Sequence, residues 1–254
     1  MGYQCVECAG AVAPTGWRRS AQSDTPRPRT GRTVAGAEPV AKPVMVPVLI
    51  ALNVAVFLWT VVQAASLANN AVAPLFQAWS LQPADVAEGQ WWRLFTAGFL
   101  HFGPLHLAFN MLALWVIGRE LEPVLGRIRF LAIYLIGLLG GSAAPFLFGA
   151  VSSQVAGASG AVFGLMGGLA VILRRMRLSA RPALTLIGIN LVLSFVVPNI
   201  SILGHLGGLV AGAIGTAVLV YSPARNRNGW QAGGLVALAL ILLLIMEIRA
   251  ATLS

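Results

Sequence analysis

The chain has 254 residues, 57% hydrophobic and only 10% charged, with a mean hydropathy of +0.80. Soluble domains carry roughly 25% charged residues, so this composition excludes an ordinary water-soluble enzyme and describes a membrane protein. The net charge of +9 would suit a nucleic-acid partner. The arginines, however, fall in a topological pattern, and no nucleic acid is expected.

In chain order, residues 1–42 are rich in Pro, Arg, Thr, Ser and Ala without apolar periodicity, and read as a cytoplasmic, basic, disordered arm. They contain Cys5-Val-Glu-Cys8, the spacing of half a zinc site. A structural zinc needs four ligands, and the chain has no other Cys and no His before His101. No closed metal site within one chain follows, and a cytoplasmic location disfavours a structural disulfide. The pair reads as a remnant. The arm has no continuous apolar core of the signal-peptide kind, so the first span is expected to direct its own insertion.

Seven apolar stretches follow, at about Pro43–Ser66, Leu94–Gly118, Ile128–Phe148, Ser159–Met176, Pro182–Val197, Ile202–Tyr221 and Trp230–Ile248. Most approach the roughly 20 residues that a bilayer core demands of a helix. The fold expected is an all-α membrane bundle, with residues 43–221 as a six-helix core and residues 222–254 as a basic linker and seventh helix. Basic residues before the first span (Arg18 to Lys42), after the second (Arg119, Arg127, Arg129), after the fourth (Arg174, Arg175, Arg177, Arg181) and after the sixth (Arg225, Arg227) all fall on one side. Only Arg93 and Arg249 fall opposite. The positive-inside rule then places the N-terminus in the cytoplasm and the C-terminus outside.

Polar groups inside spans are costly and point to function. The three histidines are His101, His106 and His205. His106 and Asn110 in HLAFN are i,i+4 neighbours on one helix face. His205 opens GHLGGLVAG near the front of the sixth span, and Ser159 in GASG opens the fourth. The second, fourth and sixth spans all run from outside to inside, so these groups fall at similar depth on one side. Each has a bland reading too. Gly160, Gly164 and Gly168 form a small-xxx-small packing ladder, and a single histidine can be an interhelical hydrogen-bonder, as Asn53, Gln63 and Asn190 are expected to be.

Taken together, the serine, the histidine and the His/Asn pair match the parts list for acyl transfer. From Ser159 to Leu173 a helix is only about 22 Å long, short of the roughly 30 Å hydrocarbon core. The serine would lie in a recess, with residues 149–158 as a re-entrant approach tolerated beside a water-filled cavity. Gly208 and Gly212, below His205, would let the fourth and sixth helices approach closely. Phe163, one turn below Ser159, could stack on His205. Ser159 can then act as nucleophile and His205 as proton carrier. His106, Asn110 and the Ser159 backbone N–H can donate to the oxyanion. The third to sixth spans hold no Asp or Glu, so the chemistry is a dyad. HExxH and GxSxG are absent, which removes a zinc peptidase and an α/β-hydrolase, and no spacing favours a three-histidine metal site.

With these residues in view, the chain resembles the rhomboid intramembrane serine proteases. The resemblance lies in WWRLFTAGFLHFGPLHLAFN (91–110), GASG (157–160) and the HxxGxxxG of 205–212, in family order on the second, fourth and sixth spans, and it covers about residues 43–221. It implies that Ser159 is the nucleophile and His205 the base, with His106 and Asn110 as oxyanion donors and Gly157, Gly160, Gly208 and Phe163 in support, without cofactor or metal. Trp92-Arg93 matches the family's WR pair, although an interfacial aromatic and an anchored charge explain it as well. His101 matches a family position with a structural role. Gly204 replaces the usual alanine, and Phe163 stands where some members have tyrosine. The seventh span resembles the six-plus-one arrangement, and GYQCVECA resembles the end of a zinc-binding segment ahead of some actinobacterial rhomboids. The reading is a multi-pass enzyme of a bacterial plasma membrane that cuts partner transmembrane helices near their outer ends, with lateral access past the fifth span. Its rivals are a non-catalytic rhomboid-like chaperone that binds client helices and a small transporter. Retention of Ser159 and His205 opposes the first; the lack of bundle charges and of an inverted repeat opposes the second.

Overall fold

The structure, a computed structural model, describes residues 31–196 and 200–253. The chain divides into two units, residues 1–31 and 32–254. Cys5 and Cys8 lie outside the described residues. Every described helix belongs to the second unit.

The first long helix is α1 (Met45–Ala64). A connection with a 3-10 turn at Asn70–Val72 and three short helices comes next: α2 (Pro74–Trp79), α3 (Pro83–Ala87) and α4 (Arg93–Thr96). Then come α5 (Gly103–Leu125), α6 (Arg127–Phe148), α7 (Ser159–Arg175), α8 (Arg181–Val196), α9 (Ile202–Tyr221) and α10 (Arg227–Ala250). Extended pairing among the described residues is confined to a bridge between Leu81 and Val155. The all-helical expectation holds. Among the described residues α1, α6, α9 and α10 are long and apolar enough to cross a membrane, and the run from Arg93 through α5 makes a fifth candidate that is sharply bent. With 17 and 16 residues, α7 and α8 are shorter.

The bend corrects the expected second span, Leu94–Gly118. Between Phe99 and Gly103 the chain turns by 94°, and α5 continues to Leu125. Both shifts have polar causes that hydropathy does not carry. At the break, buried Asn70 receives the Gly103 N–H on Oδ1 at 3.0 Å and donates from Nδ2 to the His101 carbonyl and to Thr60 Oγ1, each at 2.9 Å. Backbone groups freed by the turn are thus satisfied away from water. At the other end of α5, fully buried Glu122 accepts N–H groups from Val44, Met45 and Val46 at 2.7, 2.9 and 3.0 Å. An α-helix leaves its first N–H groups without intrahelical partners, so this carboxylate caps α1 from a distant element and favours the positive end of its dipole.

The centre of the bundle is α6, α7 and α9, which meet through glycines. A Cβ at Gly208 or Gly212 of α9 would overlap the carbonyl oxygen of Gly160 or Gly164 of α7. From α6, one at Gly141 would stand 2.7 Å from the Gly160 Cα. Around this seam pack the fully buried Phe130, Ile133, Tyr134 and Leu165. Residues 33–37 form a turn, closed by the Thr33 N–H on the Ala37 carbonyl at 2.9 Å, and Ala35 is fully buried. Gln231 of α10 donates to the carbonyls of Ala35 and Leu219, while Arg129 of α6 donates to Gln231. The segment ahead of α1 is thus tied to α10 and, through Gln231, to α6.

Candidate active site

Ser159 is the first residue of α7 and is half-buried. The local sequence explains its place. Gly157 has φ +133°, a conformation that side chains with a Cβ rarely adopt. Its N–H donates to the Ala97 carbonyl at 2.9 Å, and the Ala158 N–H reaches His101 Nε2 at 3.4 Å. The chain is thereby held as it enters α7, and the Ser159 amide, at the first helical position, has no partner within the helix. Ser159, Gly157, Gly160, His106, Ser201 and Gly204 line a cavity of about 20 Å³, room for about one water molecule.

His106 comes to this cavity from the first turn of α5. The Phe102 N–H donates to its Nδ1 at 3.2 Å, and the Phe102 ring stacks on the imidazole at 12° between planes. An Nδ1 that accepts leaves the neutral ring's proton on Nε2. That Nε2 faces Gly157: a Cβ there would be 3.0 Å from Nε2, 2.8 Å from Cε1 and 3.6 Å from Ser159 Oγ. Asn110 is buried, and its Nδ2 donates to the His106 carbonyl one turn back at 2.9 Å. It belongs to the helix behind His106 and does not line the cavity. His101 is buried edge-on to His106, with ring centroids 5.2 Å apart, and serves the approach to Ser159 through Ala158.

His205 sits in the first turn of α9, below the Ser201 N-cap, whose Oγ accepts the Gly204 N–H at 3.0 Å. Its ring is buried and stacks on Phe163 with centroids 4.1 Å apart and planes at 15°. Since Phe163 stands one turn along α7 from Ser159, this stacking sets the imidazole beside the start of that helix. Nδ1 lies 2.7 Å from the Ser194 hydroxyl of α8, and buried Nε2 has no hydrogen-bond partner. Ser159 Oγ and His205 Nε2 are not hydrogen-bonded to each other.

Trp92 and Arg93 stand apart from this cluster. Arg93, 6% exposed, pairs with Asp85 at 2.9 Å and donates to the carbonyls of Gln77 and Ser80 and to Gln90 Oε1. The Trp92 indole donates to the Ala78 carbonyl at 3.2 Å. Leu81, one residue beyond Ser80, exchanges two backbone hydrogen bonds with Val155 at 2.9 and 2.8 Å. Arg93 is thus a rivet for the loop that braces the approach to Ser159. Of the polar residues that hold the site and the chain leading to it, sequence reasoning missed Ser194, Asn70 and Asp85. Ser194 carried a signal, lying four residues after Asn190 on one helix face within an apolar run. Among the described residues no three His, Cys, Asp or Glu side chains stand together as a metal centre would require.

Long apolar helices closed around a water-sized cavity lined by a serine and a histidine define the class: an integral membrane protein with a polar site among its helices. The Rhomboid domain family model matches residues 88–222, more than half of the chain. "Rhomboid protease GluP" of Bacillus subtilis (strain 168) is 39% identical over 193 residues, covering 74% of this chain and 37% of that protein. "RHOMBOID-like protein 2" of Arabidopsis thaliana is 42% identical over 155 residues, with 58% and 47% covered. "Rhomboid protease AarA" of Providencia stuartii is 25% identical over 226 residues, 78% of this chain and 80% of that protein. The chain spans less than half the length of the first two. It belongs to the rhomboid family.

Proposed function

We propose that the protein is an intramembrane serine endopeptidase working with a Ser159–His205 dyad. Ser159 Oγ attacks the scissile carbonyl carbon, and its proton passes to His205 Nε2, which returns it to the leaving amine. The tetrahedral oxyanion is stabilised by His106 Nε2–H and the Ser159 backbone N–H. Asn110 supplies its second amide hydrogen or braces His106. Water admitted to the cavity then hydrolyses the acyl-enzyme, with His205 again as base. The observation that carries the reading is the convergence of three elements: Ser159 and His106 share one small cavity, and Phe163 holds His205 beside the same end of α7. A catalytic hydrogen bond is often long in a protein without substrate and shortens in the reacting complex, which accommodates the unpaired Nε2.

The substrate is a transmembrane helix cut near its outer end, entering laterally past α8. Helical hydrogen bonds shield a carbonyl, so small or helix-breaking residues are expected around the cut. Seven crossings, with the N-terminus in the cytoplasm of a bacterial cell, are supported by the basic residues gathered before α1 and around the α5–α6, α7–α8 and α9–α10 junctions. Residues 43–221 are the catalytic core, and α10 is the appended helix. Cleavage of a single-span substrate in proteoliposomes by wild type, abolished in Ser159→Ala, is the expected result. Equal cleavage by both would end the assignment of Ser159 as nucleophile, and cleavage by neither would favour the client-binding reading.

A further inference from the structure

Ser194 has no place in the dyad, yet it is 4% exposed and touches the far nitrogen of His205 from a different helix. Its single hydroxyl makes two short contacts: it donates to the Asn190 carbonyl at 2.7 Å and lies 2.7 Å from His205 Nδ1. A serine has one hydroxyl proton and two acceptor lone pairs. With the proton given to Asn190, the Nδ1 contact is a hydrogen bond only if Nδ1 carries the hydrogen. The opposite tautomer would need the Ser194 proton for Nδ1, breaking the bond to Asn190, and would leave a buried Nε2–H donor without a partner. We propose that Ser194 is a positioning residue that accepts the His205 Nδ1–H and so holds the imidazole in the tautomer whose bare Nε2 can take a proton.

The inference rests on the proposed roles of Ser159 and His205. It supplies what a dyad without a carboxylate otherwise lacks, a third group that fixes the tautomer, as the acid does in a Ser-His-Asp triad. The Asn190 carbonyl and Ser194 lie one turn apart on α8, and the Asn190 amide in turn donates to the Leu186 carbonyl at 2.9 Å. The acceptor is therefore anchored to α8, whose Val192 and Phe195 face outward, 63% and 74% exposed. A displacement of α8 for substrate entry would stretch this bond, tying the orientation of His205 to the position of that helix.

The test is ¹⁵N NMR of histidine-labelled protein in bilayers, read beside steady-state cleavage of a single-span substrate. Only three histidines need resolving, and His205→Asn assigns the relevant pair. Wild type is expected to show a protonated Nδ1 and an unprotonated Nε2 at His205. Ser194→Ala is expected to mix the two tautomers and lower kcat about tenfold, the worth of roughly one neutral hydrogen bond, with KM within twofold. Ser194→Thr, which keeps the hydroxyl, is expected to retain both the nitrogen resonances and kcat. A protonated Nε2 in wild type overturns the proposal without any variant having to fold, as does Ser194→Ala with unchanged resonances and kcat. The nitrogen resonances are read without substrate. A wild type that cleaves no better than Ser159→Ala would therefore overturn the dyad, whereas loss of the Ser194 effect with an intact Ser159 dependence would overturn only this inference.

Discussion

Gly157→Ala probes the approach of His106 to the chain just before Ser159. At φ +133° an alanine carries about 1–3 kcal/mol of backbone strain. Its Cβ would also stand 2.8 Å from His106 Cε1 and 3.0 Å from Nε2, where ordinary van der Waals contact begins near 3.4 Å. His106 must retreat by several tenths of an ångström, and it is held from behind by the Phe102 N–H and ring. The added methyl also occupies the space between Nε2 and Ser159, where an oxyanion would sit. Loss of one oxyanion donor lowers the rate about 10²–10³-fold, so kcat is expected to fall at least about a hundredfold. Gly89→Ala separates strain from obstruction, because Gly89 has φ +99° with nothing within 4 Å of its Cβ position. Both variants are expected to melt several degrees lower, measured by thermal denaturation in detergent, and only Gly157→Ala is expected to lose cleavage of the reconstituted substrate. If Gly157→Ala cleaves at the wild-type rate, His106 and this cavity do not handle the scissile carbonyl.

Three other contacts can be tested by substitution. Glu122→Ala removes the acceptor of three N–H groups at the start of α1 and is expected to cost about 2–3 kcal/mol in denaturant unfolding, while exposed Glu120→Gln serves as the neutral control. Arg93→Ala leaves Asp85 and two carbonyls without their buried cation; a loss of about 3 kcal/mol is expected, and adding Asp85→Asn should restore part of it if the pair is the cause. Phe163→Tyr keeps the ring against His205 and is expected to preserve cleavage within a few fold. Phe163→Ala removes a stacking contact worth about 0.5–1.5 kcal/mol and should reduce kcat roughly tenfold.

The apolar runs at residues 128–148, 159–176 and 202–221 were legible because burial in lipid and burial in a helix bundle demand the same continuous hydrophobicity. The observed elements α6, α7 and α9 end within a residue of those runs. The glycine seam was legible for a related reason, since small residues at four-residue spacing admit another backbone. What escaped was decided by polar contacts between distant residues. Hydropathy is blind to Asn70 bonding the break between α4 and α5, so Leu94–Gly118 read as one rod. It is equally blind to Glu122 reaching back across 76 residues to Val46, so the second span ended too early at Gly118. The short helices α2 to α4 escaped because Arg93, Asp85 and a few carbonyls hold them rather than periodicity. In the site, Ser159, His106 and His205 announced themselves as polar groups among apolar ones. Ser194 did the same but was indistinguishable from a hydroxyl turned back on its own helix, which it also is.

Everything proposed for catalysis depends on Ser159 being a nucleophile activated by His205. Labelling of the protein in bilayers with a serine-directed fluorophosphonate, followed by peptide mapping, tests it most directly. The expected result is a covalent adduct on Ser159 that is lost in His205→Ala and survives in Ser222→Ala. An unlabelled Ser159, or one that labels equally well without His205, would contradict it.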